Sequence, residues 1–352
     1  MISATPAVAR MASYALADID SSGFSLAQNE SFLPPSPAAL RALAEENPAH
    51  ALYPDPDWTA LRQALASAHG LDPATLLCGA GSMELIAAVV RAFSGPGDSL
   101  VASEYSYAFI ATACQFAGST LFSSPENDRT VDVDALLDAV RDDTRIVFVA
   151  NPGNPTGTRI ADAQLTRLRA QLPDNVLLII DQAYGEFSES VAPGLWPLVD
   201  RGDTVITRSF SKAYALAGAR VGWCALAPAL AEQVRKLLNP NNVSRASQHA
   251  AIAALGDTAH LQRLVARTAD NRDQFIAQLR HAGFTVADSH TNFVLVPFAS
   301  VERCESADAK LRAAGLFARG MGGYGLGHCL RVTVADSATL NRVATLLGDL
   351  AA

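Results

Sequence analysis

Arg145-Ile146-Val147-Phe148-Val149-Ala150-Asn151-Pro152-Gly153-Asn154-Pro155-Thr156-Gly157 joins a short apolar run to a turn built from two prolines and two glycines. A run of this length, ended by turn residues, reads as a buried strand of a largely parallel sheet. The pattern recurs twice. Residues 176–180 (VLLII) run into Asp181-Gln182-Ala183-Tyr184-Gly185-Glu186, and residues 204–207 (TVIT) run into Ser209-Phe210-Ser211-Lys212. Between such runs the period becomes helical: residues 82–93 place Leu85, Ile86, Val89, Val90 and Phe93 on one face. Together these predict an α/β fold, a three-layer sandwich around a mostly parallel mixed sheet. In such sheets ligands sit beyond the carboxyl ends of strands. Three of those ends carry the most chemically loaded residues of the chain.

The pattern changes after Asn239-Pro240-Asn241-Asn242. An amphipathic helix over residues 260–281, strands near 292–296 and 330–334, and a closing helix from Ser337 predict a smaller α+β domain. The large domain is expected over 38–239, with 1–37 and 240–352 forming the small one. Gly320-Met321-Gly322-Gly323-Tyr324-Gly325 matches the dinucleotide pattern of glycines. That fingerprint needs a strand before it and a helix after it. Here a strand follows, so the run reads as a flexible loop.

With 352 residues, 49% hydrophobic and 18% charged, the chain supports a large core. A net charge of −8, a pI near 5.4 and the lack of any basic block argue against nucleic acid or an anionic membrane as partner. The five cysteines are scattered, without a Cys-x-x-Cys, and read as reduced thiols of a cytoplasmic protein. Residues 1–20 lack the pattern of a signal peptide, and no apolar run reaches the ~20 residues that span a bilayer. The seven histidines are dispersed, so no metal site is expected.

Lys212 lies in Ser209-Phe210-Ser211-Lys212-Ala213-Tyr214-Ala215-Leu216-Ala217-Gly218-Ala219-Arg220. A lone loop lysine is ordinarily solvated surface. This one stands among hydroxyls, small residues and an arginine, which suits an amine that holds an aldehyde cofactor with phosphate ligands close by. A pyridine-ring cofactor also needs a carboxylate at the ring nitrogen, donors at the ring hydroxyl and a phosphate cradle. Asp181 closes an apolar strand, where a carboxylate is costly without a partner. A turn cap explains Asp181 taken alone. Tyr184 and Asn154 suit the ring hydroxyl. Gly79-Ala80-Gly81-Ser82 opens a helix whose first amides favour an anion, a weak signal by itself.

These segments, taken in order, resemble the fold-type I pyridoxal-phosphate aminotransferases, and within them the histidinol-phosphate aminotransferase family. The resemblance runs from Gln28-Asn29-Glu30 through Tyr53-Pro54-Asp55-Pro56 and the three strand ends to residues 318–334. It implies pyridoxal 5′-phosphate as cofactor, with Lys212 as covalent anchor and proton shuttle and Asp181 at the ring nitrogen. Asn154 and Tyr184 would serve the ring oxygen, and Tyr105 would stack on the ring. Ser209, Ser211, Arg220 and the amides of Ser82 and Met83 would bind the phosphate. Tyr53 would reach the phosphate in a neighbouring subunit, which implies a homodimer. Arg319, Arg331 and Asn29 would bind substrate.

The chain departs from the pattern where Met83 replaces an aspartate, where Ser209 replaces a threonine, and at Asn29-Glu30-Ser31-Phe32-Leu33-Pro34, which helps close the substrate pocket. The resemblance implies glutamate as amino donor and imidazole-acetol phosphate as acceptor. An aromatic 2-oxo acid competes with that acceptor. A lyase such as a threonine-phosphate decarboxylase would keep nearly the same site. A cofactor-binding regulator would require a DNA-binding segment, which residues before 30 do not show, and a cofactor-free α/β protein would leave every matched segment to chance.

Overall fold

Seven strands build the main sheet: β1 (Leu76–Gly79), β2 (Ser99–Ser103), β3 (Thr120–Ser124), β4 (Thr144–Ala150), β5 (Leu177–Asp181), β6 (Thr204–Ser209) and β7 (Gly222–Ala225). Their order across the sheet is β1-β7-β6-β5-β4-β2-β3, with β7 antiparallel to both neighbours and the remaining pairs parallel. Every residue of β2, β5 and β6 is buried, as expected for strands covered on both faces. The computed structural model describes residues 2–4, 6–9, 11, 23–45, 51–188 and 194–350.

Register places the functional ends side by side. Asp181 lies level with Ala150 on β4 and Thr207 on β6. Gly222, the first residue of β7, faces both Ser209 and Gly79. Helix α1 (Ser82–Phe93) leaves β1 across a two-residue turn and buries Leu85, Ile86, Val89 and Val90.

A second sheet is antiparallel, in the order β8-β10-β9, from β8 (Phe293–Pro297), β9 (Arg319–Met321) and β10 (Leu326–Thr333). The glycine run expected as a flexible loop is therefore partly strand: Gly320 and Met321 pair with β10, and one helical turn (Gly322–Tyr324) leads into β10. Met321 is 1% exposed, and burying it holds the run in place.

Two cores result. The first gathers the main sheet and α1; the second gathers β8, β10 and the C-terminal helices with Leu26 from the N-terminal segment. Phe24–Ser25 pairs in parallel with Leu316–Phe317 and ties that segment to the second core. Helix α2 (Arg245–Gly256) lies beyond the expected boundary at 239/240, yet Ala250, Ala251 and Ala254 pack into the first core. Residues 1, 5, 10 and 12–22 of the expected 1–37 segment lie outside the described residues. Helix α2 and three further C-terminal helices, α3 (Thr258–His281), α4 (Val301–Ala313) and α5 (Ser337–Leu347), each start on a Ser or Asp side chain that accepts a first-turn amide. Helix α1 starts on Gly81, with no side-chain cap.

Candidate active site

Asp181 is the centre of the site and is 5% exposed. Its Oδ1 accepts a hydrogen bond from the Thr207 hydroxyl at 2.8 Å. It forms no ion pair among the described residues. Burial raises its carboxyl from 3.8 to about 6, against the opposing hydrogen bonds from Thr207 and the Ala183 backbone. A buried carboxylate so placed has strong use for a cationic partner. Sequence reasoning missed Thr207. The signal was strand alternation, since Thr207 and Ser209 share one face of β6.

Tyr184 lies beyond the same strand end. Its hydroxyl accepts from Asn29 Nδ2 at 2.8 Å, and its ring meets Phe293 edge-on at 5.3 Å. Burial pushes the phenol up to about 12. Asn29 adopts a left-handed backbone (φ 54) that turns successive carbonyls inward. Lys212 Nζ donates to two of them, Gln28 O at 3.1 Å and Asn29 O at 3.0 Å. Burial first, then the Arg331 charge, lowers Lys212 to about 8. A share of this amine is therefore neutral and nucleophilic near neutral pH.

An anion cradle closes the other side. Without a side-chain cap, the first amides of α1 are open to a ligand. Gly81 (φ 92) admits the Arg220 guanidinium, because a Cβ there would collide with Arg220 Nη2. Gly222 admits the start of α1, since its Cβ would stand 2.5 Å from the Ser82 amide nitrogen. Arg220, itself left-handed (φ 51), donates to the Ser211 hydroxyl at 3.4 Å. Ser209 Oγ accepts the Ser211 amide at 3.0 Å. Ser82, Ser209, Ser211 and Arg220 thus converge around the start of a helix, a donor set suited to a phosphate dianion.

Arg331 bounds the site from the second sheet. It is 7% exposed and donates to Asn154 Oδ1 at 2.6 Å and to Ala27 O at 2.8 Å, while its Nε is buried without a partner. Its guanidinium lies 5.3 Å from the Phe293 ring centre. Burial lowers its proton affinity, and no described carboxylate pairs with it. Arg319 stands directly opposite Arg331 in the β9–β10 register. Tyr107 and Tyr324, which the sequence did not single out, lie within electrostatic reach of Arg331. Asn154 was expected at a ring oxygen; its carbonyl oxygen here faces Arg331, and its side chain links the two sheets.

Tyr105 is half-buried against the cluster of Leu295, Met321, Leu326 and Cys329 at the rim of the second sheet. Met83 is half-buried on the first turn of α1. Tyr53 is 86% exposed on the surface of this chain. Among the described residues no group of His, Cys, Asp and Glu is arranged to hold a metal, and no helix is long and apolar enough to cross a membrane.

The sequence pattern of the family described as aminotransferase class I and II matches residues 21–347. The chain belongs to this family. Among curated relatives, the histidinol-phosphate aminotransferase of Rhodospirillum centenum is 43% identical over 328 residues, covering 92% of this chain and 90% of the relative. That of Ruegeria sp. strain TM1040 is 39% identical over 324 residues, with the same coverage. Among solved structures, the histidinol-phosphate aminotransferase of Sinorhizobium meliloti in complex with pyridoxal-5′-phosphate superposes with a TM-score of 0.90 at 29% identity. That match covers 98% of this chain and 96% of the other.

As an aminotransferase of this class, the chain brings its separate signals to the carboxyl ends of central strands of one sheet. Asp181, Lys212 and Ser209 come from adjoining strand ends, while Arg331 and Asn29 come from the second sheet and the N-terminal segment. A buried acid without a base, a lone amine and an open phosphate cradle fit a pyridine ring that carries an aldehyde and a phosphate.

Proposed function

We propose that the protein transfers an amino group between glutamate and imidazole-acetol phosphate, forming 2-oxoglutarate and histidinol phosphate, with pyridoxal 5′-phosphate as cofactor. The observation that carries this reading is the presence of Asp181, a buried carboxylate without a cation, and Arg331, a buried cation without a carboxylate whose charge lowers the proton affinity of Lys212. The curated relatives named above support the substrate.

Bound cofactor supplies an aldehyde for the amino group and a ring that stores the electron pair released at the substrate Cα. Lys212 would hold the cofactor aldehyde, and its amine, part-neutral near pH 8, would carry the proton that leaves the substrate Cα. Asp181 keeps the ring nitrogen protonated, and its burial strengthens that contact. Tyr184 and Asn154 serve the ring oxygen, and Tyr105 covers the ring. The amides of Ser82 and Met83, with Ser209, Ser211 and Arg220, hold the phosphate. A backbone amide is indifferent to the Met83 side chain, so the change from aspartate leaves that contact in place.

Arg331 takes the carboxylate of glutamate, Arg319 takes the phosphate of the second substrate, and Asn29 closes the pocket above them. Tyr53 belongs to the site of a second copy, which makes the working unit a homodimer. The small domain is formed by the N-terminal segment and the second core. An acidic chain whose five cysteines are free and buried suits the cytoplasm.

The test is to incubate the purified enzyme with histidinol phosphate and 2-oxoglutarate and to measure glutamate. Carbon dioxide released from an amino acid, with no glutamate formed, would replace this reading with the lyase. Arg319→Ala should weaken the half-reaction with histidinol phosphate more than that with glutamate, and equal losses would remove the division of labour between the two arginines.

A further inference from the structure

A chain of part-buried polar contacts runs away from the phosphate cradle. Glu84 lies on the first turn of α1, and its Oε2 accepts the Ala80 amide at 2.6 Å. The same oxygen accepts Asn242 Nδ2 at 2.6 Å, and Asn242 Oδ1 accepts the indole N–H of Trp58 at 3.1 Å. Gly79 makes room for this carboxylate, since a Cβ there would lie 2.9 Å from Glu84 Oε2.

Trp58 has an unusual conformation. It is fully buried and left-handed (φ 51, ψ 35), a backbone region that a bulky side chain occupies only when its surroundings impose it. The surroundings are visible. The Arg235 guanidinium lies 4.6 Å from the indole ring centre and donates to Pro56 O at 2.6 Å. Gln248 Nε2 donates to Asp55 O at 3.0 Å, and the Asp55 carboxylate accepts the amides of Asp57 and Thr59. The segment is therefore fixed at several points between Tyr53 and the next helix (Thr59–His69).

We propose that Glu84, Asn242 and Trp58 are positioning residues that hold the Ala80–Gly81–Ser82 turn open for the cofactor phosphate and lock it to the Tyr53-bearing segment. The Ala80 amide is turned onto Glu84, and the Gly81 amide bonds Gly79 O at 2.7 Å. That arrangement leaves the amides of Ser82 and Met83 for the anion. Without the Glu84 carboxylate the Ala80 amide loses its partner, and the turn keeps only the Gly81 bond to Gly79 O and the Arg220 bond to Ala80 O at 3.3 Å, so more of the cradle is ordered when the phosphate binds. The relay also joins the two pieces assigned to phosphate binding, one for this chain's own site and one for its partner's. The inference rests on the cofactor reading above.

The experiment strips the full-length protein of cofactor and titrates it with pyridoxal 5′-phosphate and, separately, with pyridoxal, which lacks the phosphate. Glu84→Ala should reduce the preference for the phosphorylated ligand about tenfold, the scale of one lost hydrogen bond to a charged group. Trp58→Phe, which deletes the indole N–H and puts a smaller aromatic ring in its place, should reduce it roughly threefold. The double variant should lose less than the product of the single losses, because both act through Asn242. Should Glu84→Ala fail to fold, Trp58→Phe and Asn242→Ala carry the test. Folded variants that keep the wild-type preference, or that lose both ligands equally, overturn the relay. A wild-type protein with no preference for the phosphorylated ligand overturns the cofactor reading and the relay with it.

Discussion

Two buried arginines flank the end of the main sheet, and only one of them has a carboxylate. Arg208, fully buried on β6, pairs with Glu186 at 3.0 Å and donates to Gln182 Oε1 at 2.9 Å. Among the described residues Arg331 bonds an amide oxygen and a backbone carbonyl, lies against an aromatic face, and has no carboxylate. The carboxylates mirror this difference. Glu186 has its arginine, whereas Asp181, five residues earlier, has a hydroxyl. Thr207 and Arg208 are successive residues of one strand, so they project to opposite faces. One face satisfies its charges internally and holds the loop of residues 182–186 in shape. The other carries the unmatched Asp181, and Arg331, a cation with no described carboxylate, reaches toward Lys212 from the second sheet. Charges matched within the chain serve the fold, and charges left unmatched await a guest.

Lys212→Ala should give the largest effect, since it removes the one reactive group of the unmatched face. Turnover should fall by about 10²–10⁴, and borohydride should no longer fix the cofactor chromophore to the protein. The melting temperature should hold, because among the described residues Lys212 pairs with no carboxylate and its hydrogen bonds go to two main-chain carbonyls. A reducible chromophore that persists in the variant would remove Lys212 from its role.

The two arginines provide the direct contrast. Arg208→Met leaves Glu186 buried without a counter-charge and should cost about 3–5 kcal/mol of stability in urea unfolding. Arg331→Met removes an unmatched cation and should leave stability level or higher. It should nevertheless raise the apparent KM for glutamate by roughly 10- to 100-fold, with a much smaller change in kcat. Equal stability losses in the two variants would end the distinction between the faces.

Asp181→Asn should act in opposite directions with and without cofactor. The folded carboxyl titrates near 6 against an ordinary value of 3.8, so the folded chain binds this proton more tightly than the unfolded chain does. Stability of the cofactor-free protein therefore declines as pH rises from about 4 to 6 and stays reduced above that range. Asparagine abolishes that decline, for a gain of about 2–3 kcal/mol at pH 7.5 that vanishes near pH 4. In the same variant cofactor should bind more weakly. Urea unfolding at both pH values, paired with a cofactor titration, tests both signs.

The sequence exposed the matched and unmatched faces unequally. Strand ends at Ala150, Asp181 and Ser209 were legible because an apolar run meeting a turn is a local pattern, and the residues beyond them inherit a position from the sheet. Arg331 facing Asn154 was not legible, since 177 residues separate the two and their contact depends on how the second sheet docks. Thr207 follows from alternation only once Asp181 is known to lie level with it. The glycine run at 320–325 misled in part because glycine suggests mobility, while the burial of Met321 holds the start of the run in a strand. Glu84 bonds the chain four residues upstream of itself, a local contact, but its second bond to Asn242 spans 158 residues and no sequence pattern reports it.

Tyr53→Phe should have the smallest effect and the most specific one. The residue is 86% exposed in a single chain, so loss of its hydroxyl should not alter folding. If the hydroxyl reaches a phosphate across a subunit boundary, its removal should weaken cofactor binding by no more than about tenfold, the scale of one such hydrogen bond. Mixed dimers identify the chain that supplies it. When Tyr53→Phe chains pair with Lys212→Ala chains, each active Lys212 site receives its tyrosine from the Lys212→Ala partner. Those sites should recover wild-type cofactor affinity. Recovery of affinity shows that the hydroxyl acts in trans, whereas a weakened site in the mixed dimer means that Tyr53 acts within its own chain and that the face it occupies has some other use.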